Sequence, residues 1–176
     1  NPTGPMHMGN ARGGALGDCL ASVLEYAGYD VTREFYINDA GNQIEKFGKS
    51  LSARYIQQLK GEDAVEFPED GYQGGDITEH AKEFIKLYGD KYLDCGEDER
   101  KQALIDYALE KNISALKTDL EKYRIHYDVW FRESLLHKND EVTSAIERLR
   151  KNGYTYDEDG KRLSMSDLTG TSTYQY

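Results

Sequence analysis

Asn1-Pro2-Thr3-Gly4-Pro5-Met6-His7-Met8-Gly9-Asn10 opens the chain, and Ala11-Arg12-Gly13-Gly14 follows at once. Pro2, Gly4 and Pro5 forbid helix and set an extended loop. From Ala11 to Ala27 the composition turns helix-forming, with Ala15, Leu16, Cys19, Leu20, Val23, Leu24 and Ala27 at helical spacing as one apolar face. The stretch predicts a rigid loop that delivers an imidazole, His7, and bare backbone, Gly9, to a helix N-terminus. Unpaired N–H groups and the helix dipole there suit a phosphate, and Gly9 lets a nucleotide come closer than any side chain would allow.

Gly28 is a plausible helix stop, and Asp30 to Ile37, rich in β-branched and aromatic residues, reads as a strand. Loop, helix, turn and strand make the first crossover of a doubly wound parallel sheet. The pattern then becomes helical: Gln43 to Leu59, an acidic loop over residues 60–75, Asp76 to Leu93 opening on a capping-box-like Asp76-Ile77-Thr78-Glu79, and Glu97 to Tyr123. The last has Ile105, Leu109, Ile113, Leu116, Leu120 and Tyr123 as its seam. So long a stretch between two α/β pieces reads as an inserted subdomain rather than a loop. Strand character returns from His126 to Ser134, a helix from Asp140 to Lys151 ends at Asn152-Gly153, and a strand leads from Tyr154 into a turn. The expected fold is α/β, a partial Rossmann-like parallel sheet with a large, mainly helical insertion. Residues 1–38 form the first half of the nucleotide-binding core, 39–125 the insertion and 126–176 the return, with 161–176 atypical. No strand precedes Asn1, where a nucleotide-binding βαβ unit needs one, so the chain is expected to be a piece of a larger protein.

The chain has 176 residues, a formal net charge of −10 and 38% hydrophobic residues. Its mean hydropathy of −0.78 places much of it on exposed helix faces. Acidity on this scale argues against a general nucleic-acid-binding surface and against DNA, while leaving room for local contact with one RNA end. Cys19 and Cys95 have neither metal spacing nor the density of a disulfide framework, and Cys19, on the apolar helix face, is expected as a buried free thiol. With no signal peptide and no membrane-length apolar run, a cytoplasmic protein is expected, with no membrane partner.

The string Asn-Pro-Thr-Gly-Pro-x-His-x-Gly resembles the HIGH signature of class I aminoacyl-tRNA synthetases, here as His-x-Gly-Asn, and with Ala11-Arg12-Gly13-Gly14 it is similar to the arginyl enzymes in particular. Tyr36-Ile37-Asn38-Asp39-Ala40-Gly41-Asn42-Gln43 resembles the segment after the second strand in bacterial members. Tyr127-Asp128-Val129-Trp130-Phe131-Arg132-Glu133 is close to that family's Phe-Asp-x-Trp-x-x-Glu stretch. The three occur in the family's order, over residues 1 to about 160. The resemblance implies an arginine–tRNA ligase fragment: ATP-dependent activation of arginine, transfer to tRNA(Arg), and Mg²⁺ with the ATP but no protein ligand for it. Such a fragment alone is expected to be weakly active or inactive. Gly160-Lys161-Arg162-Leu163-Ser164-Met165-Ser166-Asp167-Leu168 carries lysine, serine and methionine out of the order of the family's Lys-Met-Ser-Lys-Ser motif, so no catalytic role is assigned to residues 161–166.

His7 and Asn10 are the catalytic candidates, with Pro5, His7, Gly9 and Asn10 around ATP. The gain would come from donors held where charge develops on the α-phosphorus. The plainer alternative is a loop histidine with Asn10 as a helix cap. The resemblance places Asn1, Thr3, His7 and Tyr174 at arginine, and an amide at position 1 could serve carboxylate or ammonium. Tyr36, Asn38, Asp39 and Gln43, at the carboxyl edge of a strand, could contact arginine or the tRNA 3′ end, though Asp39 could equally cap the next helix. Gly13 and Gly14 cost helix stability and imply close approach by a ligand or by a neighbouring strand. Trp130, Asp128 and Glu133 read as structural. His80, His126 and His137 show no paired spacing and are expected at the surface or a boundary. No residue is a metal candidate. Two rivals stand beside the arginyl reading: another nucleotidyl or adenylyl transferase of the HIGH superfamily, and a non-catalytic helical interaction module derived from a synthetase.

Overall fold

The computed structural model describes residues 2–158 and 161–164. In chain order these form α1 (Met8–Tyr26), β1 (Glu34–Ile37), α2 (Asn42–Lys60), a 3-10 turn (Glu62–Ala64), α3 (Gly75–Tyr88), α4 (Glu97–Lys122), β2 (Val129–Arg132), α5 (Ser134–Lys138), α6 (Glu141–Lys151), β3 (Thr155–Glu158) and β4 (Lys161–Ser164). Two compact units result, one through Glu133 and one from Ser134 onward.

The first unit is mainly helical around a small parallel sheet. β1 and β2 pair in parallel, Glu34 against Val129 through Ile37 against Arg132, with α2, α3 and α4 in the connection between them. Side chains alternate along β1: Phe35 and Ile37 turn inward, Glu34 and Tyr36 outward. Asp128 fastens the start of the pair, its Oδ2 accepting from the Arg33 N–H at 2.7 Å while its own N–H donates to the Arg33 carbonyl at 2.8 Å. Trp130 stacks on Phe35 with centroids 4.7 Å apart. The structural reading of Asp128 and Trp130 agrees with these contacts.

The helical layer is built on Phe47, Leu51 and Tyr55 of α2, Ile77, Ala81 and Phe84 of α3, and Leu104, Ile105 and Ala108 of α4, all buried. α3 stops at Tyr88, five residues before the expected end, because Gly89 takes a positive φ of 60°. The turn after it is held by side chains. Tyr55 donates to the Gly89 carbonyl at 2.8 Å, and buried Arg100 donates to Ser52 Oγ at 2.9 Å and to the carbonyls of Tyr92, Leu93 and Cys95. The expected capping box at Asp76 is not formed: α3 is capped by Gly74 with no side-chain hydrogen bond, leaving Asp76 in the first turn to favour the helix dipole. Nor does a side chain cap α2, whose N-cap is Gly41 rather than Asp39; Gly41, at φ 82°, turns the chain by its backbone.

α1 departs most from expectation. Its packed face is the small one, Gly14, Asp18 and Ala21, with Ala21 buried, whereas Leu16, at 74% exposure, Leu20 and Val23 are exposed, and so is Cys19. The periodicity picked an apolar stripe correctly but on the wrong side. On this small face Gly14 lies against Ile125 and Tyr127, and Arg33, before β1, ties α1 down by ion pairs to Asp18 at 3.2 Å and Glu25 at 2.7 Å.

In the second unit, α5 precedes α6, which ends near the expected Asn152-Gly153, and β3 pairs antiparallel with β4. α5 had no counterpart among the expected elements. No helix among the described residues is long and apolar enough to cross a membrane.

Candidate active site

The signature loop closes onto the start of α1 by a reciprocal cap. His7, not Asn10, is the N-cap residue, with extended backbone at φ −112°. Its Nδ1 accepts from the Gly9 N–H at 3.1 Å, and Asn10, three residues into the turn, returns the bond by accepting from the His7 N–H with Oδ1 at 3.2 Å. Helix therefore begins at Met8, and His-x-Gly-Asn is one capped turn rather than a loop before the helix. The arrangement has a chemical consequence. A neutral imidazole that accepts at Nδ1 carries its proton on Nε2, so the outward nitrogen of His7 is a hydrogen-bond donor. Gly9 leaves room for the ring, since a Cβ there would stand 3.0 Å from His7 Cε1 and press on it.

Two concavities flank this turn. A cleft of about 360 Å³ is lined by the loop residues Pro2, Gly4, Pro5 and Met6, by Gly9, Asn10, Gly13 and Gly14 of α1, by Phe35 and Ile37 of β1, and by Leu116, Leu120 and Tyr127. A shallower groove of about 370 Å³ has Met6, His7, Met8 and Ala11 on one side and Asp119, Lys122 and Tyr123 on the other. The cleft thus offers backbone and amide groups on one wall and an apolar floor on the other, as a nucleotide needs. The alternatives for the paired glycines divide between them. A Cβ on Gly14 would meet Ile125 Cδ1 at 3.2 Å, so Gly14 serves packing, whereas one on Gly13 would meet nothing within 4 Å and Gly13 stays open to the cleft. Burial, and then the Asp18 carboxylate, push the Tyr127 phenol up from its ordinary value.

Of the expected site residues, Pro5, Gly9 and Asn10 line the cleft and His7 borders the groove beside it. Thr3 is half-buried in the loop. Tyr36 faces away from Phe35 and Ile37, near Phe131 at 5.8 Å, and Asn38, Asp39 and Gln43 follow β1 without lining either concavity. Asn1 and Tyr174 lie outside the described residues, as do Met165 and Ser166. Sequence reasoning missed Tyr127 and Phe35 as cleft residues and treated Leu116 and Leu120 only as a helix seam. It also missed Asn112, whose Nδ2 donates to the Pro2 carbonyl at 2.8 Å and whose Oδ1 meets His80 Nε2 at 2.9 Å. Helical spacing was the available signal, because Asn112, Leu116 and Leu120 succeed one another at every fourth residue on one stripe of α4.

The family described as tRNA synthetases class I (R), catalytic domain, matches residues 1–172. Arginine–tRNA ligase from Ruminiclostridium cellulolyticum is 64% identical over 171 residues, covering 97% of this chain and 30% of the relative. That from Acetivibrio thermocellus is 64% identical over 160 residues, 91% of this chain and 28% of the relative. A solved structure from Campylobacter jejuni, provisionally described as an arginyl-tRNA synthetase, superposes with a TM-score of 0.80 at 34% identity, covering 97% of this chain and 36% of that one. The chain therefore spans under a third of the length of these curated relatives, and it belongs to the family of class I tRNA synthetase (R) catalytic domains.

Proposed function

We propose that this chain is the His-x-Gly-bearing portion of an arginine–tRNA ligase catalytic domain, a Rossmann-like core of the HIGH superfamily acting in the cytoplasm. The carrying observation is the reciprocal His7–Asn10 cap, which presents an Nε2 donor and helix N-terminal backbone beside an apolar-floored cleft. In the first step an arginine carboxylate oxygen attacks the α-phosphorus of ATP, the bond from that phosphorus to the β-bridging oxygen breaks, and pyrophosphate leaves. His7 donates to a phosphate oxygen as negative charge builds, Asn10 holds His7 in place, and Pro5 and Gly9 let the nucleotide lie against backbone. In the second step a ribose hydroxyl at the 3′ end of tRNA(Arg) attacks the arginyl carbonyl and AMP leaves. Mg²⁺ enters as the counter-ion of the triphosphate, and no residue of this chain is assigned to it.

Asn1, Thr3 and Tyr174 are assigned to arginine with His7, and Tyr36, Asn38, Asp39 and Gln43 to arginine or the tRNA 3′ end. The test is arginine-dependent exchange of pyrophosphate into ATP, with tRNA(Arg) present, by the full-length protein bearing this segment. Arginine supports exchange and lysine or glutamate does not, and His7→Ala lowers it about 10²-fold. Exchange driven by a different acceptor, with arginine inert, would overturn the reading.

A further inference from the structure

The signature loop is tied to the helical layer by one buried amide. Asn112 of α4 is 7% exposed, and its two ends have different partners: Nδ2 donates to the Pro2 carbonyl at 2.8 Å, and Oδ1 lies 2.9 Å from Nε2 of His80 on α3. An amide can be turned over at almost no cost in shape, but not in hydrogen bonding. Reversed, Asn112 would set its oxygen against the Pro2 oxygen and leave two acceptors facing one another. The Pro2 carbonyl can only accept, so it turns the NH₂ toward itself. Oδ1 is thereby left facing His80, whose Nε2 meets it as an N–H donor and braces the amide from its other end.

We propose that His80 and Asn112 are positioning residues for the signature loop: the Asn112 amide holds the Pro2 carbonyl, and the His80 Nε2–H braces that amide from its other end, fixing the chain that carries Thr3, Pro5 and His7. Pro2 has no N–H and is itself buried, so its carbonyl is its one main-chain hydrogen-bonding group. Asp76, one turn before His80, lies beside the same loop, its Oδ2 3.5 Å from where a Cβ on Gly4 would stand. Four residues past Asn112 on α4, Leu116 floors the cleft, and Leu120 follows one turn on. One stripe of α4 therefore sets both the floor of the cleft and the height of the loop above it. The inference deepens the proposed function, since what is positioned are the groups assigned there to ATP and arginine.

His80→Gln keeps an N–H donor, His80→Glu puts an acceptor of the same shape in its place, and His80→Met removes the bond without adding charge. The readouts are steady-state pyrophosphate exchange by the full-length protein and amide hydrogen exchange over residues 3–9. We expect His80→Gln to stay within about twofold of the parent in kcat. His80→Glu and His80→Met lose about tenfold in kcat with KM for ATP changed less than about threefold, and exchange over residues 3–9 speeds up. Asn112→Asp behaves as His80→Glu does, is not rescued by His80→Gln, and combines with His80→Met less than additively, because both break one link. Equal behaviour of the Gln and Glu variants in loop exchange would overturn the proposal. That readout does not require activity, so a protein inert with arginine would refute the proposed function while still testing this link.

Discussion

The Gly9 amide donates to Nδ1 of His7 at 3.1 Å, and a Cβ on Gly9 would stand 3.0 Å from Cε1 of the same ring. The backbone of one residue and the ring of the other are therefore a single fitted unit, in which the glycine makes room for the imidazole that caps the helix.

Gly9→Ala is expected to push the ring off its cap and to lower arginine-dependent pyrophosphate exchange at least about tenfold, short of the roughly 10²-fold loss for His7→Ala. Stability should change little, because the N-cap loss of about 1 kcal/mol is largely offset by about 0.5–1 kcal/mol of helix propensity. Exchange kinetics beside a urea unfolding curve would check both numbers. Parental exchange in Gly9→Ala would show that the cap has no bearing on the chemistry.

Gly13 and Gly14 should respond in opposite ways to the same substitution. Gly13→Ala adds helix propensity in open space and should stabilise the chain by about 0.5–1 kcal/mol, while crowding the cleft and weakening ATP binding. Gly14→Ala must displace buried Ile125 by a few tenths of an ångström, and so should gain less stability or lose some. Thermal melts and nucleotide titration of both variants make the comparison. Equal stability changes would refute the assignment of Gly14 to packing.

At Gly48 α2 packs tightly on α4: a Cβ there would lie 2.5 Å from Cδ1 and 2.9 Å from Cγ1 of buried Ile105. Gly48→Ala should cost about 1–3 kcal/mol despite the better helix former, because a β-branched side chain in a full core cannot step aside. Ile105→Val removes the nearer methyl and should recover part of that loss. A double-mutant cycle by urea unfolding measures the coupling, and strict additivity would contradict the contact.

Acid should destabilise the folded chain through three carboxylates. Glu25 is held below its ordinary value mainly by the hydrogen bond from Arg33, Asp70 by that from Lys46, and Glu83 by those from Tyr107 and then Lys111. Because the folded values are the lower ones, the unfolded chain takes up protons first as pH falls. The stabilisation is whole above the ordinary carboxylate value of about 4 and is lost as pH drops through the folded values. All three are solvent-facing, so the effect is small and weakens with salt. Urea midpoints against pH should be flat near neutrality and fall in acid, with a shallower acid limb for Glu83→Gln. An unchanged limb in that variant would remove Glu83 from the account.

Much of the fold was legible because it rests on local rules. The spacing of Ile44, Phe47, Leu51 and Tyr55 gave α2 its buried face, the seam from Ile105 to Leu120 gave α4, and the β-branched and aromatic run before Asn38 gave β1. The loop before α1 was legible for the same reason, since proline and glycine restrict backbone whatever surrounds them. Where a neighbour decided the outcome, local pattern failed. Leu16 and Leu20 look like the inner face of α1, yet Gly14, Asp18 and Ala21 are the packed side, because Arg33 and Ile125 lie there. Asp39 looks like a cap, yet the backbone of Gly41 already turns the chain into α2.

The sequence by itself determined the family, through an ordered set of motifs, and the chemistry on offer at residues 5–10, because those depend on residue type and short spacing. Tertiary structure alone decided which nitrogen of His7 faces outward, which glycine lies open to the cleft, and that Pro2, His80 and Asn112 meet. Those outcomes depend on atoms separated by up to 110 residues, brought within about 3 Å by the packing of α3 and α4 against the signature loop. Periodicity along the chain has no term for contacts across that distance.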